Sequence, residues 1–162
     1  MNNIPYNPIK AVQTVEKLDQ LLINYHIHYQ KLRNFHWNVY GQNFFELHRK
    51  FEDMYNQVKS QIDAVAERIL TLGYRPSSTL KIYLAEAQIK EPIDRPTPDE
   101  MVAEVLGDLD IMVNLMRECL KSANEEGDEA TTDLISGYLK ATEKNRWMLA
   151  SYLLSTPAAS KK

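Results

Sequence analysis

Apolar residues recur every three or four positions along most of the chain, which is the spacing of one buried face on an α-helix. Four long stretches share this pattern: from about residue 8 to Val39, from Asn43 to Leu72, from Thr97 to about Asn124, and from about Asp128 to Pro157. No sustained alternation bounded by turn residues indicates a β-strand. The pattern therefore predicts an all-α protein built on four long helices.

Capping residues mark the ends of the first two helices. Asn7 and Pro8 suit the N-cap and the first helical position of the first helix. Asn43 followed three residues later by Glu46 resembles a capping box at the start of the second helix. Gly73 is a typical C-terminal stop for that helix, because glycine adopts the left-handed conformation easily.

A long irregular segment, residues 74–96, separates the second helix from the third. Within it, Ser78–Ala87 is expected to form a short helix, and Thr97–Glu100 then gives a strong helix-start signal. The connections are thus short, long and short, and the middle one can run the length of a bundle. The prediction is one domain over residues 1–162, with short tails at 1–7 and 156–162. Its fold is a four-helix bundle with a long crossover that contains a short helix.

Composition narrows the class of protein further. With 162 residues and 44% hydrophobic content, the chain can bury one substantial core, and its net charge of −3 does not favour a basic nucleic-acid module. The single cysteine, Cys119, excludes an internal disulfide and any cysteine-based zinc or iron–sulfur site, and we expect it to be a buried small hydrophobe. No secretory signal or apolar run of about 18 residues is visible. A cytoplasmic protein without membrane association is expected.

Five side chains suggest metal chemistry: His36, His48, Glu52, Asp63 and Glu67. At about 100° per residue, the four on the second helix fall within an arc of about 100° beside its apolar stripe. His36 ends the first helix, across a short turn from His48. Neutral imidazole and carboxylate oxygen suit divalent iron, manganese or zinc.

The spacing along the second helix restricts how these residues can share a metal. His48 and Asp63 are separated by about 22 Å at a rise of about 1.5 Å per residue, whereas metal–ligand bonds are about 2 Å long. Two chains related by a two-fold axis, with antiparallel second helices, would bring the histidines and Glu52 of one chain against Asp63 and Glu67 of the other. If the five residues form one site, it lies between subunits.

The spacing alone also allows a structural interpretation. Single histidines on helices are more often packed or solvated than metal-bound, and carboxylates are mostly solvent-exposed. The Glu-x-x-His pattern that places a metal site inside one bundle occurs nowhere in the chain. His26 and His28 are taken as structural. From the spacing alone, a metal site and an inert bundle remain alternatives.

The same residues carry a resemblance to a known family. The segment His36–His48, HWNVYGQNFFELH, closely resembles the signature of the Dps family, or mini-ferritins, and Phe51-Glu52 and Asp63–Arg68 continue it. Ser78–Glu91 is similar to the short crossover helix of that family, and residues 127–131 and 146–149 are similar to its fourth helix. The resemblance covers nearly the whole chain and implies a ferritin-like bundle.

The resemblance implies a ferroxidase that works as a hollow dodecamer. Two Fe(II) ions would be oxidised, preferentially by hydrogen peroxide, at a dinuclear centre on each two-fold interface, and the ferric product would be stored inside the shell. His36, His48 and Glu52 would come from one subunit and Asp63 and Glu67 from its neighbour, with zinc or manganese as surrogate metals. Such a protein would protect the cell against oxidative stress.

Two further roles follow from the resemblance, each with an alternative. Trp37 would lie near the iron centre and intercept stray oxidising equivalents, or it simply packs the dimer core. Glu129 and Asp133 would line a pore that draws Fe(II) inward, because a ring of like charges concentrates cations. Alternatively, these acids only complement the dipole at the start of the fourth helix.

DNA binding is expected to be weak or absent. Members of the family that compact DNA often use a lysine-rich tail to neutralise phosphates, whereas the first nine residues here hold no Lys or Arg and the end offers only Lys161 and Lys162. Three hypotheses are therefore carried forward. They are an iron-storing ferroxidase, a DNA-protecting nucleoid protein with secondary ferroxidase activity, and an inert bundle with structural histidines.

Overall fold

The computed structural model describes residues 10–92 and 94–155, and these residues contain five helices and no strand. The helices are α1 (Val12–Asn38), α2 (Phe44–Thr71), α3 (Leu80–Glu86), α4 (Pro98–Glu126) and α5 (Glu129–Ser155). The predicted all-α bundle with a short helix in its crossover is confirmed. The predicted tails at 1–7 and 156–162, with Pro157, lie outside the described residues.

The four long helices enclose one apolar core. α1 packs against α2, α4 and the short α3, and α4 packs against α5. Short turns join α1 to α2 and α4 to α5, while the segment containing α3 carries the chain back along the bundle. The largest fully buried side chains include Tyr25, Phe35 and Phe51. Among the described residues, no helix combines the length and apolar character needed to cross a bilayer.

The start of α1 differs from the prediction. Asn7 and Pro8 lie outside the described residues, but Lys10 and Ala11 are not helical, so the helix does not run on from the predicted start. α1 begins at Val12 instead, where Ala11 provides no side-chain cap. The cap comes from the far end of α4: the Glu126 carboxylate accepts hydrogen bonds from the backbone N–H groups of Gln13 (3.1 Å) and Thr14 (2.9 Å). A local sequence pattern does not reveal a cap supplied by tertiary contact.

The start of α2 is predicted correctly, but its capping box does not form. Asn43 is the N-cap residue, yet its side chain accepts no capping hydrogen bond. Its amide instead donates to the Tyr152 hydroxyl on α5 at 2.8 Å. At the start of α4, by contrast, the predicted box of Thr97 and Glu100 is present in both directions. The difference arises because Tyr152 offers Asn43 a partner on another helix.

Gly73 ends α2 as predicted. It adopts φ 88°, and the N–H groups of Gly73 and Tyr74 reach back to the carbonyls of Leu70 (2.9 Å) and Ile69 (3.1 Å). Those two bonds close the last turn in the Schellman pattern.

Cys119 is fully buried on α4, which confirms the prediction. Burial is the main cause that raises the pKa of its thiol to about 12, and the negative charge of Asp128 adds to the effect. The side chain therefore stays protonated at neutral pH and packs as a small apolar group.

We predict that Glu126→Ala lowers the free energy of unfolding by about 1 kcal/mol, because the first-turn N–H groups of α1 lose their acceptor. Burial alone would raise the pKa of Glu126, but the hydrogen bonds from Thr14 and Gln13 outweigh it and lower that pKa. The stabilising effect is therefore present above the unfolded-state pKa and is lost as the pH falls through the folded-state pKa.

Urea denaturation at pH 7 and pH 3 measures this difference, with the exposed neighbour Glu125→Ala as the matched control. Equal losses for the two variants at pH 7 would contradict the assigned cap.

Candidate metal centre

The imidazole rings of His36 and His48 lie against each other where α1 ends and α2 begins. Their centroids are 3.8 Å apart and their planes differ by 21°. Each Nδ1 lies 2.8 Å from the backbone carbonyl oxygen of the other residue, so the two hydrogen bonds are reciprocal. The turn between the helices makes this approach possible, since Gly41 takes a left-handed φ of 90°.

The reciprocal bonds fix which nitrogen of each ring remains available. A carbonyl oxygen only accepts, so each Nδ1 must carry a hydrogen and donate it. In the neutral imidazole this leaves the lone pair on Nε2, the atom that a metal would bind. The pattern matches the arrangement in which a ligating histidine is oriented by a hydrogen bond from its other nitrogen.

Aromatic neighbours hold the histidine pair on both sides. The Phe44 ring stacks on His48 with 4.9 Å between centroids, and the Tyr55 and His36 rings meet nearly at right angles with 5.4 Å between centroids. His36 is only 8% exposed, and His48 is half-buried. The packing limits rotation of both rings.

Glu52 lies one turn beyond His48 on α2 and is half-buried. The Tyr55 hydroxyl donates to its Oε1 over a long 3.5 Å, and the same Tyr55 ring contacts His36. The chain therefore places two imidazole rings and, one helical turn further along α2, one carboxylate at the same end of the bundle. This donor set suits iron, manganese or zinc.

Asp63 and Glu67 are not part of this group. Both are exposed on the far half of α2, about 22 Å from His48 along the axis for Asp63. In residues 10–92 and 94–155, no three His, Cys, Asp or Glu side chains stand close enough together to hold a metal ion, and this includes the two histidines with Glu52. One chain thus offers oriented imidazoles but not a complete set of ligands.

Trp37 follows His36 in sequence, but its indole points elsewhere. Its side chain is 58% exposed and lies on the Arg33 guanidinium, 4.8 Å from the ring centroid. The aromatic side chain that contacts His36 is Tyr55, which the sequence analysis did not select as a functional residue. Its position three residues after Glu52 and seven after His48 places it on the same helix face, and this spacing was the available signal.

The acidic stretch around the start of α5 divides into two groups. Glu126 caps α1, and Asp128, only 1% exposed, accepts hydrogen bonds from Thr131 N–H (3.0 Å) and from Arg68 of α2 (2.6 Å). Glu129 and Asp133 are exposed and lie one turn apart on α5. The carboxylates of the second group are therefore available to solvent.

The other two histidines have structural partners. His28 is fully buried, with Nδ1 2.9 Å from Asp108, whose other oxygen binds Lys31 at 2.8 Å. His26 stacks on Tyr83 of α3 with 4.0 Å between ring centroids. Both observations agree with the structural role expected from the sequence.

Comparison with known proteins shows similarity to ferritin-like proteins. Residues 15–158 match the ferritin-like domain family. The DNA protection during starvation protein of Brevibacillus brevis is 41% identical over 136 residues, which span 84% of this chain and 91% of the relative. The corresponding protein of Porphyromonas gingivalis is 40% identical over 143 residues, spanning 88% and 90% of the two chains.

Solved structures of related proteins have a similar fold. A Dps protein from Vibrio cholerae O1, described as a member of a broad superfamily of ferritin-like diiron-carboxylate proteins, superposes with a TM-score of 0.87. It is 38% identical, and the match covers 94% of this chain and 96% of that one. Dps from Staphylococcus aureus gives a TM-score of 0.84 at 36% identity, covering 86% and 94%.

We predict that both His36 and His48 are Nδ1–H tautomers at pH 8, with unprotonated Nε2 atoms, because each Nδ1 faces a carbonyl oxygen. Long-range ¹⁵N–¹H NMR of histidine-labelled protein distinguishes the tautomers, and the single variants His36→Gln and His48→Gln assign the signals. Protonated Nε2 atoms on both rings would contradict the orientation of the pair.

Proposed function

Because the chain belongs to the Dps family of ferritin-like proteins, we propose that it is a ferroxidase that oxidises Fe(II) and stores the ferric product. The proposed ligands are His36, His48 and Glu52 from one subunit with Asp63 and Glu67 from a second. The observation that carries the proposal is the reciprocal His36–His48 pair, which leaves one Nε2 lone pair available on each of two stacked rings.

The spacing of the rings supports a centre for two metal ions. The two stacked rings, 3.8 Å apart between centroids, each keep one Nε2 lone pair, so each ring can bind a different ion. Paired metals in two-metal sites lie about 3.5–4 Å apart, which is close to this ring separation. Carboxylates from Glu52, Asp63 and Glu67 would then bridge or complete the two coordination spheres.

The length of α2 supports completion by a second copy of the chain. A two-fold axis that makes the two α2 helices antiparallel brings the exposed Asp63 and Glu67 of each chain to the histidines of the other. Each dimer then contains two equivalent centres. The complete particle is proposed as a hollow dodecamer.

Fe(II) is the substrate of the proposed reaction, and hydrogen peroxide is the preferred oxidant. Two adjacent Fe(II) ions would give one electron each to hydrogen peroxide, and with two protons from solvent the O–O bond would break to form two water molecules without release of a hydroxyl radical. Hard carboxylate oxygens favour the ferric product over the ferrous substrate. The diiron-carboxylate description of the Vibrio cholerae relative supports iron as the metal, with zinc and manganese as surrogates.

The proposed route by which Fe(II) enters the particle depends on negatively charged side chains. Glu129 and Asp133, exposed near the start of α5, are the proposed lining of a pore through which Fe(II) reaches the interior. The proposed role in the cell is protection of the cytoplasm against oxidative stress by removing ferrous iron and peroxide together. The name DNA protection during starvation protein, carried by relatives, fits this role without tight DNA binding.

A complementation experiment tests whether the centre lies between subunits. We expect His36→Ala/His48→Ala chains and Asp63→Ala/Glu67→Ala chains each to lose peroxide-dependent Fe(II) oxidation. When the two variants are co-expressed in equal amounts, half of the dimers are mixed, and each mixed dimer has one intact centre. About a quarter of the wild-type activity should return.

Two outcomes would contradict the intersubunit centre: activity that survives in either variant alone, and a co-expressed mixture that stays inactive although the native mass proves that the chains mix. Glu16→Ala, an exposed acid on α1 far from the histidines, is the control and should oxidise Fe(II) normally.

We also predict weak or absent DNA binding at neutral pH, because the chain carries a net charge of −3 and an assembly multiplies that charge. A gel shift with plasmid DNA at low salt measures it. A tight, salt-sensitive complex would favour the alternative function, a DNA-binding nucleoid protein with secondary ferroxidase activity.

A further inference from the structure

The exposed side of α2 carries two large apolar side chains that its own chain leaves uncovered. Phe45, in the first turn, is 82% exposed, and Leu70, in the last turn, is 56% exposed. The other large apolar side chains of α2 are buried or half-buried. A single exposed apolar side chain is common on protein surfaces, so the positions of these two decide what they mean.

Phe45 and Leu70 lie on the same side of α2 as the proposed ligands. At about 100° per residue, Leu70 is rotated from Phe45 by about 20° around the helix axis. Glu52 and Asp63 fall within the same narrow arc. All four residues therefore belong to the side of α2 that the proposed dimer pairs.

The two apolar residues also share a centre of symmetry with the ligands. His48 and Glu67, the outermost proposed ligands on α2, are equally distant from a point between positions 57 and 58. Phe45 and Leu70 are equally distant from the same point, three residues further out on each side. A two-fold axis through this point makes α2 antiparallel to its copy and places His48 opposite Glu67 of the partner subunit. The same axis places Phe45 opposite Leu70 of the partner subunit.

We infer that the exposed side of α2 binds a second copy of this chain through two identical apolar contacts, each between Phe45 and Leu70 of the partner subunit. This inference rests on the proposed ferroxidase function, because the proposed ligands fix the position of the axis. The contacts lie at opposite ends of the paired helices, about 19 Å from the axis at a rise of about 1.5 Å per residue. They set the register of the pair, since a slip of one turn, about 5.4 Å, separates the apolar side chains and the ligands alike.

The residues between the apolar ends also fit a second copy of the chain. Asn56 and Lys59 are exposed, and the axis places each opposite the other, so that an amide oxygen faces an ammonium group. Glu52 and Asp63 of the partner subunit also lie opposite each other, and two carboxylates repel until a cation lies between them. The apolar contacts therefore hold the pair in register before Fe(II) binds.

Crosslinking of engineered cysteines in the assembled, iron-free protein tests this register. The variant Phe45→Cys/Leu70→Cys is treated with a short bis-maleimide, and a denaturing gel measures covalent dimers. The two positions are about 37 Å apart within one chain, so a crosslink joins two chains. Phe45→Cys/Ser60→Cys is the matched control, because Ser60 is exposed but lies about 15 Å from Leu70 along α2. We expect several-fold more dimer in the first variant than in the control, while the buried Cys119 does not react.

An exchange of charges gives a second test that needs no crosslinker. Phe45→Lys and Leu70→Glu each place a charge against an apolar side chain of the partner, so each should lower the unfolding temperature of the particle by several degrees. The double variant places opposite charges in contact at both ends and should recover most of that loss. Additive losses in the double variant would contradict the contact.

The outcomes separate this inference from the proposed function. Equal crosslinking of the two double variants, or dimers formed by Phe45→Cys alone, would overturn the register, and wild-type protein that still oxidises Fe(II) would then keep the ferroxidase function. A specific crosslink between positions 45 and 70 in a protein whose wild type does not oxidise Fe(II) would support the pairing and overturn the ferroxidase function alone.

Discussion

The rigidity of α2 is the constraint on which the candidate centre depends. An α-helix rises about 1.5 Å per residue, so Asp63 is held about 22 Å from His48, while a metal–ligand bond spans about 2 Å. No side-chain movement closes that gap. The helix that carries both halves of the proposed ligand set therefore prevents one chain from using them together, and the proposed catalytic unit is a pair of chains.

The hydrogen bonds of the His36–His48 pair both satisfy a carbonyl group at the end of α1 and orient the two imidazole rings of the candidate centre. His36 lies in the last turn of α1, where the helix leaves its own carbonyl groups without N–H partners, and His48 Nδ1 donates to the His36 carbonyl. The same bond, with its reciprocal partner, leaves both Nε2 atoms available for a metal. Packing by Phe44 and Tyr55 restricts the rotation of both rings.

Several charged side chains elsewhere in the bundle have structural roles, although the sequence around them would equally suggest functional ones. Glu126 and Asp128 belong to the same acidic stretch as Glu129 and Asp133, yet the first two satisfy the N-termini of α1 and α5. Arg68, within the segment that resembles the family signature, joins α2 to Asp128 at 2.6 Å. Charge alone does not separate a capping carboxylate from one that is free for another role, because acidic side chains of both kinds are favoured near helix N-termini.

The sequence by itself determined the helices, their order and the crossover, because apolar periodicity and residues such as Gly73 and Thr97 act over a few positions. It also identified the five candidate ligands and the distance that separates their two groups, since the distance between two positions along a helix axis depends only on the number of residues between them. Only the tertiary structure decided that Glu126 caps α1, that Asn43 pairs with Tyr152, and that Tyr55 rather than Trp37 contacts His36. These contacts join residues from separate elements or depend on the direction of a side chain, and helical periodicity specifies neither.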